Sequence, residues 1–195
     1  MIKKLSLTFG SKTKAQEILL LLSDKKEVVR QAFTEKELPP IIQFCKRNNI
    51  HLVKSKFKVL FTENKTYSNK GIRVPENDSR SGFYFIYFSK DEKKALLASY
   101  YETTNNHQEL GAILGYPQCC INFFCQNFNE HKTNLEHQAT NPLTNLSKRE
   151  NDAVLLSHFP CHSECPESIQ LAQKYLDTIK SIDPQRADEL ITILS

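Results

Sequence analysis

Hydrophobic and polar residues alternate with a period of two between residues 51 and 61. The odd-numbered positions from 53 onward are mostly apolar, whereas Lys54, Lys56 and Lys58 occupy positions between them. This alternation is typical of a strand with one buried face. Residues 83–89, FYFIYFS, are apolar on both faces, as in the central strand of a sheet. The pattern therefore predicts a small β-sheet that includes 51–61 and 83–89.

Most other segments repeat their apolar residues at a spacing of three or four, which indicates amphipathic helices. Gly115 is a natural stop for the helix before it, and Pro166 suits the first turn of the helix that follows it. The predicted helices cover 12–23, 25–33, 38–49, 90–102, 106–115, a segment starting near Cys119, 166–180 and 184–194. Together these elements predict an α+β fold with a mainly helical C-terminal half.

The length of 195 residues suits a single domain over 1–195. Charged residues are unevenly distributed along the chain. Residues 1–70 hold 15 Lys and Arg against six Asp and Glu, and residues 71–195 hold 11 Lys and Arg against 16 Asp and Glu. We therefore distinguish a basic N-terminal part, 1–82, from a second part, 83–195. No apolar run approaches the roughly 20 residues of a membrane-spanning helix, and the N-terminus lacks the apolar region of a signal peptide. We expect a cytoplasmic protein that does not enter a membrane.

Cysteine and histidine are concentrated in the second part of the chain. Five of the six cysteines and five of the six histidines lie between residues 107 and 165. In a reducing compartment cysteines serve catalysis or metal binding more often than disulfides. The clustering therefore indicates a site built from soft ligands.

The first cysteine block is LGYPQCCINFFC, residues 114–125. Pro117 begins a turn, and Cys119 and Cys120 follow at a helix entrance, where backbone N–H groups and the helix dipole favour a thiolate and a lowered pKa. Cys125 lies further along, in register with apolar neighbours three and four residues away. We expect Cys125 to be a buried packing residue.

The second block is SHFPCHSECPES, residues 157–168. Cys161 and Cys165 lie in a tight loop before a helix, and His158 precedes them. Combined with the first block, they supply three or four thiolates and a histidine, which is the ligand set of tetrahedral zinc or of an iron–sulfur cluster. Sulfur atoms about 3.5–4 Å apart would indicate one tetrahedral ion, because Zn–S bonds are near 2.3 Å.

The two blocks together resemble an uncharacterised prokaryotic family, a domain of unknown function. Its marks are a G-Y-P-x-C-C block and a downstream H-x-P-C-x3-C-x2-S block, and the resemblance covers roughly residues 107–175. The matching residues are Gly115, Tyr116, Pro117, Cys119, Cys120, Phe124, His158, Pro160, Cys161, Cys165 and Ser168. The resemblance implies that the two blocks form one site, and it supplies no reaction.

Three functions follow from these residues. The first is a metal-binding protein or metalloenzyme of unknown substrate, with the polar segment 129–151 covering the site. Its cofactor is zinc, iron or an iron–sulfur cluster, and its ligands come from Cys119, Cys120, His158, Cys161 and Cys165. The second is a thiol enzyme in which Cys120 is the nucleophile and His158 the base.

The third is a nucleic-acid-binding module with a structural zinc. Its basic surface would be the stripe formed by Lys54, Lys56 and Lys58, and steep salt dependence would mark such binding. A solvated strand face explains the same three lysines, and aromatic residues for base stacking are not evident beside them. We rank this function last and the metal-binding function first.

Overall fold

The computed structural model describes residues 1–61, 71–129 and 131–195. Its helices are α1 (Ile2–Phe9), α2 (Lys12–Leu22), α3 (Leu38–Arg47), α4 (Glu92–Thr103), α5 (His107–Ile113), α6 (Gln118–Asn127), α7 (Pro166–Ile182) and α8 (Pro184–Leu194). Its strands are β1 (Val28–Phe33), β2 (His51–Lys54), β3 (Phe57–Phe61), β4 (Gly71–Pro75) and β5 (Tyr84–Ser89). Small antiparallel sheets and a helical C-terminal half confirm the predicted α+β class. Within the described ranges, no helix combines the length and the apolar character that spanning a bilayer requires.

The chain folds as two compact units. One unit consists of residues 1–25 and 116–195, and the other consists of residues 26–115. We call the first the helical unit and the second the sheet unit. Both predicted cysteine blocks belong to the helical unit from residue 116 onward.

The sheet unit contains a three-stranded antiparallel sheet with β5 in the centre, β1 on one side and β2 on the other. The predicted central strand 83–89 is thus confirmed. The predicted strand 51–61 forms two strands, since β3 pairs with β4 in a separate hairpin. Ser55 lies at the break, where its hydroxyl donates to the Phe57 carbonyl at 2.7 Å and accepts from the Phe85 N–H at 3.1 Å. The Ser55 side chain here takes the place of a backbone acceptor for the Phe85 N–H and interrupts the ladder, which resumes only as a single bridge between Val59 and Phe83.

The helix predicted over 25–33 is wrong, because residues 28–33 form strand β1. Val28, Val29 and Phe33 are buried there, and β1 pairs with β5 along its whole length. A short segment rich in β-branched residues follows the tertiary context rather than local periodicity. The apolar central strand requires a neighbour on each side, and β1 supplies one.

A buried carboxylate joins three elements of the sheet unit. Glu102 on α4 is only 6% exposed, and it forms ion pairs with Arg30 of β1 and with Arg73 of β4. The Arg30 guanidinium also stacks on Phe85, 3.7 Å from the ring centroid. Burial raises the pKa of the neighbouring Tyr87, and the negative charge of Glu102 adds to the effect. Glu102 thus fixes α4 against the sheet and the hairpin.

In the helical unit α7 packs against α2 and α8. The periodicity of α7 predicts an apolar stripe of Ile169, Ala172, Leu176 and Ile179. The last three are buried together with Tyr175, whereas Ile169 is only half-buried. Residues 153–156 are buried in the same core. This core holds the N-terminal end of α7 in place, and that end carries Cys165 and Ser168.

Asp152 caps the start of α2 from a distant part of the chain. Its carboxylate accepts the backbone N–H of Thr13 at 2.8 Å and that of Lys12. Burial alone would raise the pKa of Asp152, but the hydrogen bonds from Thr13 and Lys12 lower it below its ordinary value. Asp152 is therefore a cap that is most effective when ionised.

Replacing Asp152 by alanine is expected to lower the free energy of unfolding by about 1–2 kcal/mol at neutral pH. Because the folded pKa is depressed, the contribution is present above the unfolded pKa and is lost as pH falls through the folded pKa. Urea unfolding of both proteins between neutral pH and pH 3 measures this difference. The exposed Asp188→Ala change on α8 is the control, and an equal loss of stability in both variants would contradict the cap.

Candidate metal centre

Two helix entrances carry the cysteines of the site. Helix α6 begins at Gln118, directly after Pro117, which places Cys119 and Cys120 in its first turn. Helix α7 begins at Pro166, and Cys165 is its N-cap residue. Both placements confirm the predicted helix starts. Pro117 and Pro166 have the fixed φ that suits the beginning of a helix.

Gly115 ends the preceding helix with φ of 76°. This left-handed conformation is available to glycine at little cost. It confirms the predicted stop of the helix before the first cysteine block. The chain can therefore leave α5 and enter the Tyr116–Pro117 turn within two residues.

Four sulfur atoms meet where the two helices begin. The Sγ atom of Cys119 lies 3.6 Å from that of Cys165 and 3.8 Å from that of Cys120, and the Cys120–Cys165 distance is 3.7 Å. Cys161 completes the group, in which all four sulfurs lie within 4.8 Å of one another. None of the four is in a disulfide. A tetrahedral ion with Zn–S bonds of about 2.3 Å has sulfur–sulfur edges of about 3.8 Å, so this four-sulfur group is compatible with metal binding.

Cys120 also has polar neighbours that do not contain sulfur. Its Sγ lies 3.2 Å from the hydroxyl oxygen of Ser168 and accepts the backbone N–H of Cys161 at 3.4 Å. Ser168 is 0% exposed, and its hydroxyl oxygen is also 2.9 Å from Nε2 of His158. A continuous chain of buried polar atoms therefore runs from His158 through Ser168 to Cys120.

The structure places His158 next to the four-sulfur group rather than within it. Its ring lies against the ring of Tyr116, with centroids 4.9 Å apart, and the Tyr116 hydroxyl donates to the Ser157 carbonyl at 3.2 Å. Ser168 and Tyr116 have no predicted role beyond their places in the two motif blocks. Their presence in the two motif blocks was the signal that could have identified them.

Burial dominates the pKa values of the thiols. It raises the pKa of Cys120 to about 12, although the bonds from Ser168 and the Cys161 N–H oppose the shift. Burial and the neighbouring thiols also raise the pKa of Cys119 and of Cys161. The prediction that the helix entrance lowers the pKa of Cys119 and Cys120 is therefore wrong for these thiols, since desolvation disfavours the charged form.

Cys165 behaves differently from the other three. Its burial acts to raise its pKa, but hydrogen-bonding groups of Ser168, Cys161 and Cys119 lower it below the ordinary value of a thiol. Its Sγ also donates to the Glu167 carboxylate at 3.5 Å. In this group Cys165 is the sulfur whose neighbours lower its pKa, whereas the contact with Glu167 exists only while the thiol keeps its proton.

Cys125 is exposed, so the prediction that it is buried is wrong. The buried residues of α6 are Cys120 and Ile121, and Phe124 is half-buried, its ring stacked on that of Phe128 with a centroid distance of 4.5 Å. Cys125 lies about 100° further around the helix axis than Phe124. The predicted helical spacing of apolar residues on α6 is correct, but the buried face of the helix is centred nearer to Cys120 than to Cys125.

The polar segment 129–151 contacts the loop that carries Cys161, although its residue 130 lies outside the described part of the chain. Thr140 donates through its backbone N–H to the Ser163 hydroxyl at 2.7 Å, and the Thr144 hydroxyl donates to the Ser163 carbonyl at 2.6 Å. Asn141 bonds the Glu164 carboxylate at 3.1 Å. These contacts fix the loop between Cys161 and Cys165.

Two of the three lysines predicted to form a basic stripe have partners within the sheet unit. Lys54 forms an ion pair with Glu76 at 2.5 Å and lies over the ring of Tyr84. Lys58 is buried, and it donates to the carbonyl groups of Asp78 and Arg80. Lys56 is exposed. The stripe therefore offers less free positive charge than its sequence suggests.

Residues 96–192 match the model of a family described as a protein of unknown function, DUF483. This match confirms the predicted resemblance to an uncharacterised family, and the matched segment contains all four cysteines of the site. No curated protein and no solved structure matches the chain.

Proposed function

We propose that the protein binds one tetrahedral zinc ion through Cys119, Cys120, Cys161 and Cys165. The observation that carries the proposal is the set of sulfur–sulfur distances of 3.6, 3.7 and 3.8 Å. They equal, within about 0.2 Å, the edges of a tetrahedron with zinc at its centre. Two rigid helix starts and a hydrogen-bonded loop hold these sulfurs, so the ligand geometry exists in the fold itself.

A single ion fits this spacing better than an iron–sulfur cluster. A cluster places several iron atoms and bridging sulfides between its cysteine ligands. Its thiolates must therefore lie farther apart than the ligands of one ion, whereas here three sulfurs lie 3.6–3.8 Å apart and the fourth lies within 4.8 Å of them. Among single ions, an all-sulfur tetrahedral set favours zinc or iron, and zinc binds more tightly than ferrous iron to a given ligand set.

Four cysteine ligands favour a structural role for the ion. Structural zinc sites close all four positions with protein ligands, whereas catalytic sites leave one position for water or substrate. Here Cys119 and Cys120 come from the start of α6, and Cys165 from the start of α7. The bound ion therefore joins two helices and the intervening loop into one unit.

The thiol-enzyme alternative receives less support from the geometry. A general base must lie within hydrogen-bond reach of its nucleophile, and the Nε2 atom of His158 instead reaches the hydroxyl of Ser168. Cys120 is also buried between the two helices, where a substrate has little access. We therefore assign His158 a supporting role at the metal site rather than the role of a base.

Metal analysis of protein purified without oxygen is expected to give one zinc ion per chain. Changing Cys119, Cys120, Cys161 or Cys165 to serine should each reduce this stoichiometry, because each change removes one of four ligands. Replacement of zinc by Co²⁺ should produce the intense visible absorption of tetrahedral thiolate coordination.

Cys125→Ser is the matched control, because Cys125 lies on α6 but outside the four-sulfur group, and its zinc content should equal that of the unchanged protein. Detection of iron together with acid-labile sulfide in the metal analysis would indicate an iron–sulfur cluster instead of a single ion. An absence of bound metal after anaerobic purification and zinc addition would contradict the proposal.

A further inference from the structure

The four sulfurs of the proposed zinc site have unequal surroundings. Cys120 is 2% exposed and has two non-sulfur hydrogen-bond neighbours, the Ser168 hydroxyl and the Cys161 N–H. Cys119 is partly exposed, and within the described residues no hydroxyl or backbone N–H donates to its sulfur. Two adjacent ligands of one helix turn thus differ in both access and hydrogen bonding.

The direction of the hydrogen bonds around Ser168 follows from the chemistry of a bound site. A metal-bound cysteine is a thiolate and only accepts hydrogen bonds. The Ser168 hydroxyl has a single proton, and the sulfur at hydrogen-bond distance from it is that of Cys120, at 3.2 Å. The proton then points to Cys120, and the hydroxyl oxygen accepts a proton from its other neighbour. That neighbour is Nε2 of His158 at 2.9 Å, so His158 carries its proton on Nε2. This tautomer is assigned from the partners of the ring.

Other contacts hold the hydrogen-bonded series of His158, Ser168 and Cys120 in place. His158 is buried and stacked against Tyr116, whose hydroxyl is bound to the Ser157 carbonyl. Ser168 lies in the first turn of α7, three residues after Cys165, so the helix that supplies one ligand also supplies the hydroxyl bound to another. The hydroxyl therefore approaches Cys120 in a fixed geometry. Groups that orient metal ligands in this way typically change metal affinity by 10–100-fold when removed.

We propose that Ser168, oriented by His158, positions the Cys120 thiolate and lowers its nucleophilicity, so that electrophiles attack the metal site at Cys119. The inference rests on the proposed zinc site. Ser168 and His158 are positioning residues that act through Cys120. A hydrogen bond to a thiolate withdraws electron density from the sulfur, and Cys119 lacks this bond among the described residues.

Alkylation of the zinc-loaded chain by iodoacetamide directly tests the difference in nucleophilicity between Cys119 and Cys120. The attacking sulfur displaces iodide, so one carbon–sulfur bond forms, one carbon–iodine bond breaks and iodide leaves. Mass spectrometry of peptides should find Cys119 modified several-fold faster than Cys120. The exposed Cys125 supplies an internal reference for a thiol outside the group.

Ser168→Ala should raise the rate at Cys120 relative to Cys125 and weaken zinc binding by about tenfold. In the Co²⁺-loaded protein it should also shift the sulfur-to-metal charge-transfer band to lower energy, because the sulfur becomes more electron-rich. His158→Leu should act in the same direction, whereas His158→Gln keeps an N–H donor and should retain more of the original behaviour. Thr178→Val is the control, since the Thr178 hydroxyl on the same helix donates to the Lys174 carbonyl of that helix and, among the described residues, contacts no sulfur of the site.

Equal charge-transfer energies and unchanged alkylation order in the Ser168 and His158 variants would overturn this inference while leaving the zinc site intact. Failure of the unchanged protein to bind zinc or Co²⁺ would overturn the proposed function and, with it, this inference. Faster alkylation of Cys120 than of Cys119 in the zinc-loaded protein would also overturn the inference.

Discussion

Removal of zinc is expected to lower the free energy of unfolding by about 4 kcal/mol, relative to protein kept with free zinc a thousandfold above its dissociation constant. The ion binds the folded arrangement of four sulfurs, and the unfolded chain lacks that arrangement. Urea unfolding with and without a chelator, followed by far-UV circular dichroism, measures the difference. The loss should appear in the helical unit, which contains all four cysteines.

Cys165→Ser should abolish the increase in the free energy of unfolding that added zinc produces, because the Cys165 sulfur contacts those of both Cys119 and Cys120. Cys125→Ser should keep the full response. Equal stabilisation of both variants by zinc would mean that the ion binds elsewhere. If the chelator leaves the stability of the unchanged protein untouched, the structural role of the ion is refuted.

Glu102→Gln is expected to destabilise the sheet unit by about 3 kcal/mol. Glutamine keeps the size of the side chain but removes the charge that compensates Arg30 and Arg73. The two arginines are 31% and 37% exposed, so solvent screens part of the loss and keeps it near the lower limit for buried ion pairs. Urea unfolding at neutral pH measures the change.

Glu76→Gln is the matched control for this prediction. Glu76 pairs with Lys54, also in the sheet unit, but the Glu76 side chain is 45% exposed. Exposed pairs contribute about 0–1 kcal/mol, so this variant should remain close to the unchanged protein. Similar losses in both variants would show that burial of Glu102 adds nothing to its interaction with the arginines.

Sequence reasoning was most successful where a residue type has a fixed conformational preference. Pro166 and Gly115 gave the start of α7 and the end of α5, because the restricted φ of proline and the left-handed conformation of glycine are local properties. Local rules also placed Cys119 and Cys165 at helix starts. That the starts of α6 and α7 lie close together was a hypothesis supported only by the ligand chemistry of their cysteines. The distances between the sulfurs could be obtained only from the folded structure.

The failures share a dependence on contacts between distant residues. The segment 25–33 was predicted as a helix, but its pairing with β5 decides its conformation. Cys125 was predicted to be buried, and the orientation of α6 against its neighbours exposes it. Ser168 received no role, because its importance lies in reaching Cys120 and His158 at once. Membership in the second motif block marks Ser168 in the sequence, but it does not reveal this double contact.

The separation of the ligands along the chain has a consequence for unfolding. Cys120 and Cys161 are 41 positions apart, and the polar segment lies between them. An ion bound to both acts as a cross-link that closes a loop of this length in the folded chain, and it stabilises that state because the unfolded chain does not hold the ion. Unlike a disulfide, this cross-link opens and closes with the supply of metal. Amide hydrogen exchange between residues 131 and 160 should then depend on zinc concentration while the sheet unit exchanges at a constant rate.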